Sequence, residues 1–202
     1  MRFNVRCAAV ILTLASAHPL YAQEKIENSE MTFYVRTSGG VPAVCGFDFI
    51  LVYRDKTYRQ AALAGVRGSL EWLEDKGNVG LLLKMSGMDF PDGPKQDIPP
   101  APFYVARGFV AVDGKPYAPS NFRRCEQPAA FCAEYWLPTS VDAYTGLLSS
   151  KLAVGFNRQA NGLDINLPID PSGAVRANQY DFRAYGECMT ALARRAKVNL
   201  SK

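Results

Sequence analysis

Hydrophobic residues in this chain fall largely at every second position, and that alternation predicts strands. The strongest stretch is 45–55, CGFDFILVYRD, where Cys45, Phe47, Phe49, Leu51 and Tyr53 share one face and Ile50 with Val52 make the other apolar as well. Such a pattern suits a central strand. Before it, residues 23–30 read as a loose polar lead and 31–37 as a first strand; after it, 57–63 complete a hairpin. Then Val66, Gly68, Leu70 and Trp72 alternate with Arg67, Ser69 and Glu71, giving one core face and one wet face. A turn at 75–78, with Gly77 supplying positive φ, leads into a returning strand over 79–88.

The period then breaks. Prolines 91, 94, 99, 100 and 102 exclude helix or ladder over 89–102, which reads as a stiff crossover between sheets, or else as an exposed recognition strip. Strand 103–112 changes phase at Arg107-Gly108, which predicts a bulge, and Asp113-Gly114 turns tightly into 115–118. From 139 the spacing becomes helical, with Ser140 as cap and Val141, Tyr144, Leu147 and Leu148 on one face. Strands 152–157 and 163–169 follow, joined at Asn161-Gly162. A last helix, capped by Asp181, carries Phe182, Tyr185, Met189 and Leu192 and ends in Arg194, Arg195 and Lys197. The expected fold is mainly β: an antiparallel sandwich or partly open barrel with a short helix and a C-terminal helix. Nothing divides it, so residues 23–202 form one domain.

Residues 1–22 read as a cleaved export signal: Arg2 and Arg6 precede the apolar run 7–17, too short to span a membrane, and Ala22 offers the cleavage point. Its loss removes His18, the single histidine, so imidazole-based nucleophilic catalysis and histidine-liganded metals are excluded from the mature chain. It also removes Cys7, leaving Cys45, Cys125, Cys132 and Cys188 in an oxidising compartment. Of the three pairings, Cys125 with Cys132 closes a short loop and Cys45 with Cys188 pins the central strand to the last helix, the longer closure giving about 4–5 kcal/mol on the entropic account. No C-x-x-C pair supports a zinc site. The remaining 21 basic residues (23 less Arg2 and Arg6) against 19 acidic ones carry no nucleic-acid footprint. The protein is therefore expected in the periplasm or secreted, without a transmembrane segment or cofactor.

Two chemistries remain. Trp136 and Tyr135, next to Arg123 and Arg124 in a stapled loop, combine flat rings with fixed donors and make the candidate surface for an envelope component or a protein partner. The alternative is a carbohydrate-active hydrolase using two carboxylates, drawn from Glu71, Glu74, Asp75 and Glu134. Asp89, Asp92 and Asp97 lack the ligand spacing of a calcium loop. A non-catalytic binding protein is the expectation.

From the second cysteine pair onward, the order Cys125, Cys132, a short helix ending Gly146-Leu147-Leu148, strands 151–156 and 164–169 and a terminal aromatic-led helix resembles the C-terminal part of the invasion-associated locus B proteins. The resemblance covers about the last third of the chain and departs at Cys188 and the 182–192 helix. It implies an exported bacterial envelope protein with a sandwich fold and an interaction role, and transfers no catalytic residue.

Overall fold

Period-two alternation resolves into two facing sheets in the computed structural model, which describes residues 22–91, 98–123, 125–126 and 129–197. Residues 1–21, most of the stretch expected to be an export signal, the middle of the proline-rich crossover and Arg124 lie outside the described residues. In chain order the elements are β1 (Ala22–Gln23), β2 (Ile26–Ser38), β3 (Val41–Asp55), β4 (Ala62–Asp75), β5 (Asn78–Asp89), β6 (Ala101–Phe103), β7 (Arg107–Val112), β8 (Lys115–Tyr117), β9 (Asn121–Phe122) and β10 (Phe131–Tyr135). Then come α1 (Thr139–Leu148), β11 (Leu152–Asn157), β12 (Ile165–Pro168), α2 (Ser172–Ala177) and α3 (Gln179–Arg195).

The larger sheet runs β2-β3-β4-β5-β10-β9, with β6 pairing the end of β5; the smaller runs β1-β12-β11-β7-β8. Pairing is antiparallel except for β1, which lies parallel to β12. The sheets stay separate, so the fold is an open sandwich rather than a closed barrel. The inward residues of β3, β4 and β5, among them Phe47, Leu51, Leu70, Trp72 and Leu83, are fully buried. Tyr53 and Phe103 meet Phe156 of the smaller sheet in ring contacts, while α3 covers the β2 side, where Phe33 contacts Phe182 and Tyr185. Both expected disulfides are present, Cys45–Cys188 tying β3 to α3 and Cys125–Cys132 closing a short loop before β10.

Several local expectations are corrected. The phase change near Arg107 is not a bulge: β6 belongs to the larger sheet and β7 to the smaller, so the parity shift marks the chain crossing between them. Residues 26–30, expected to be loose, extend β2, because Asn28 to Glu30 pair with Ile50 to Val52 of β3. No strand occupies 57–61: the chain turns there on the Asp55 carbonyl, which accepts from Arg59 N and Ala61 N. Ser140 does not cap α1. Its buried hydroxyl donates to the Val79 carbonyl and its own carbonyl accepts from Trp72 Nε1, each at 2.8 Å, which seats the helix on the sandwich. Asn178 rather than Asp181 caps α3, accepting from Asp181 N.

The turns at Lys76-Gly77 and Asp113-Gly114 hold positive φ at both residues, as a two-residue hairpin requires. Asn161-Gly162 instead sits within a wider loop between β11 and β12. Side chains shape it: Tyr58 donates to the Leu163 carbonyl, and Arg158 reaches back to Asp55 at 2.8 Å and to Asp89 at 2.5 Å.

Candidate functional site

Alternation that turns Phe49, Leu70 and Leu83 inward turns Asp48, Ser69, Glu71, Leu82 and Lys84 outward, onto the far face of the larger sheet. There a groove of about 660 Å³ opens, with β3, β4 and β5 as its floor and Arg123, Glu126, Ala130 and the Cys125–Cys132 disulfide as one wall. Its charged lining comprises Asp48, Arg67, Glu71, Lys84, Arg123 and Glu126.

Glu71 is the hub. Although it faces outward it is buried, and its carboxylate accepts from Arg36 at 2.6 Å, Tyr34 Oη at 2.9 Å, Lys84 at 3.2 Å and Ser69 at 3.4 Å. Four donors on three strands are thereby fixed by one acceptor. Burial and then the Glu71 charge push the Tyr34 phenol well above its ordinary range, so it remains a donor at any physiological pH. Beside Glu71, Asp48 sits opposite Ser69 across the β3–β4 ladder. Partial burial, then the Glu71 charge, raise its pKa from the ordinary value.

Arg67 contrasts with these. It is exposed, donates to Ser86 Oγ at 3.3 Å, and has no carboxylate partner among the described residues. Cross-strand register places Arg67 opposite Ser86 and Ser69 opposite Lys84. The four side chains form a two-by-two grid of donors on the open face, with Arg67 the corner whose charge is not neutralised.

The residues expected to form a partner surface divide. Tyr135 is a correction: it follows Glu134 on β10, alternates inward and is fully buried, its phenol raised in pKa by that burial. Trp136 is half-buried and lies on the outer face, its ring against Gly80 so closely that a Cβ there would come within 2.7 Å of it. Arg123 is exposed and pairs with Glu134, which also accepts from Asn121.

Of the carboxylates considered for hydrolysis, Glu71 and Glu134 share one cross-strand row, both aligned with Leu82 of the strand between them. That puts their backbones two strand spacings apart, about 10 Å. Glu74 binds its own hairpin through Gly77 N, and Asp75 ends β4 at the turn, so neither joins the groove. Asp89 is engaged by Arg158 and Arg59 instead of lying open to a cation, and no cluster of potential metal ligands occurs among the described residues.

Sequence reasoning missed Asp48, Arg67 and Lys84 as a site. The wet face of β4 was visible as alternation; the partners that β3 and β5 bring to it depend on register. Comparison with protein-family models, curated proteins and solved structures finds no match for this chain. No helix among the described residues is long and apolar enough to cross a membrane.

Proposed function

We propose that this chain is an exported, non-catalytic binding protein whose ligand is an anionic envelope polymer, held in the groove on the outer face of the larger sheet. The observation that carries this reading is Arg67, an exposed guanidinium without a carboxylate partner among the described residues, set in a grid with Ser69, Lys84 and Ser86. An arginine in that position offers a planar fork to a carboxylate or phosphate. Glu71 supports binding over turnover: a carboxylate already accepting from four donors is suited to positioning Lys84 and Tyr34, whereas a general acid needs a transferable proton. Two disulfides fit an oxidising compartment, and the likeness of the last third of the chain to the invasion-associated locus B proteins agrees with an interaction role.

Calorimetric titration with acidic oligosaccharides carrying carboxylate or phosphate groups tests the proposal. Arg67→Gln is expected to weaken binding on the order of tenfold or more, as loss of a charge-assisted contact does, with the melting temperature unchanged. Equal affinity in the folded variant would remove the groove as the site. A second reading, a hydrolase with two carboxylates, draws on one observation: Asp48, raised in pKa, neighbours Glu71 in the same groove. Turnover of a glycan that disappears in both Asp48→Asn and Glu71→Gln would establish it in place of the first.

A further inference from the structure

The four outer edges of the two sheets are unequal. β1, β8 and β9 span two, three and two residues, lengths that leave little for another strand to pair with. β2, at the remaining edge, is 13 residues long and pairs only with β3 among the described residues. Natural edges of that length are blunted by lysine and other charges, proline or bulges, or are covered by a helix or loop; α3 meets β2 on its inward face, through Phe33. β2 reads IENSEMTFYVRTS, with neither lysine nor proline, and its two register shifts lie near its ends, leaving Asn28 to Arg36 regular.

Its side-chain order is self-complementary. In an antiparallel pairing of two copies about a twofold axis at Phe33, Glu30 stands opposite the other copy's Arg36, Thr32 opposite Tyr34, and Met31 opposite Val35. Each copy contributes both members, so the Glu30–Arg36 match occurs twice. Moving the axis to Glu30 would set Glu30 against itself, and moving it to Arg36 would set arginine against arginine. Glu30 is exposed and has no partner among the described residues, while Arg36 is half-exposed and already oriented by Glu71.

We propose that β2 is a homodimerisation edge, joining two copies of this chain through an antiparallel β2–β2 pair in the register centred on Phe33. The two larger sheets become one continuous sheet, and their outer faces lie on the same side because directly opposed residues of antiparallel strands share a face. One consequence rests on the binding site proposed above: the two grooves, centred on β4 of each copy, lie five strand spacings apart, about 24 Å, and a long anionic chain crosses both. The pairing itself does not depend on that reading.

Sedimentation equilibrium of the purified protein is expected to return twice the chain mass, and hydrogen exchange to show slower exchange with rising concentration in residues 26–38. Glu30→Arg, which turns both charge matches into repulsions, is expected to weaken association roughly tenfold or more without lowering the melting temperature of the monomer. A monomer at all concentrations, or a dimer unaffected by Glu30→Arg, overturns the proposal. Should Glu30→Arg fail to fold, concentration-dependent protection outside β2 in the unaltered protein would overturn it equally. None of these readouts uses a polymer ligand, so a failed dimer and a failed groove are told apart.

Discussion

At Asp48, burial and a neighbouring charge act on one carboxyl and make its protonation part of the fold's pH dependence. Its pKa stands above the ordinary aspartate value near 3.8, raised by desolvation first and by Glu71 second. The folded chain therefore holds this proton more tightly than the unfolded chain. The stabilisation is complete below the ordinary value and is lost as pH rises through the raised one. Asp48→Asn keeps the neutral form throughout, so the variant is expected to melt above the unaltered protein at neutral pH and level with it in acid; solvent screening keeps the difference small. Thermal melts across that range check the sign. Gly80 makes a second residue-scale case, because the Trp136 ring occupies the place of a Cβ. Gly80→Ala is expected to lift the indole, shifting tryptophan emission to the red and costing about 1–3 kcal/mol, as overpacking does.

Between elements, two devices close the sandwich, one covalent and one ionic. Cys45–Cys188 joins β3 to α3 across 143 residues of sequence; replacing both cysteines by alanine is expected to cost about 4–5 kcal/mol on the entropic account, measured by denaturant unfolding. Arg158, in the loop after β11 of the smaller sheet, clasps Asp55 and Asp89 at the ends of β3 and β5 in the larger, its guanidinium 3.8 Å from the Phe103 ring centroid. Asp55 is 0% exposed. Arg158→Met strands that charge and is expected to cost about 3–5 kcal/mol.

The same elements show how far the sequence could be read. Strands β3, β4 and β5 were legible because one side faces the core and period two records it directly. The crossing between β6 and β7 was not, since a bulge and a change of sheet both shift parity by one. Local chemistry also misled: Ser140 and Asp181 look like caps, but a buried carbonyl at Val79 takes the first and Asn178 precedes the second. Tyr135 and Trp136 are adjacent in sequence and fall on opposite faces of the sheet, so only the tryptophan belongs to the outer surface.

For the whole molecule, the seven-stranded sheet is a wall with two uses. Its inner face holds the core against the smaller sheet and α3, and its outer face presents the groove built around Glu71. Of the groove residues, Arg67, Ser69 and Glu71 were written in the alternation of β4. Their assembly was not, because β10 joins β5 from across an intervening crossover, β6 and three further strands, bringing Cys132 and its disulfide partner Cys125 to the groove wall. The most direct test of the binding role is a two-dimensional amide spectrum of the isotope-labelled protein, titrated with an acidic oligosaccharide. Saturable shifts confined to Asp48, residues 67–71, 82–86 and the wall residues Arg123, Cys125, Glu126, Ala130 and Cys132 are the expected result, and no shifts, or shifts centred on another face, would contradict it.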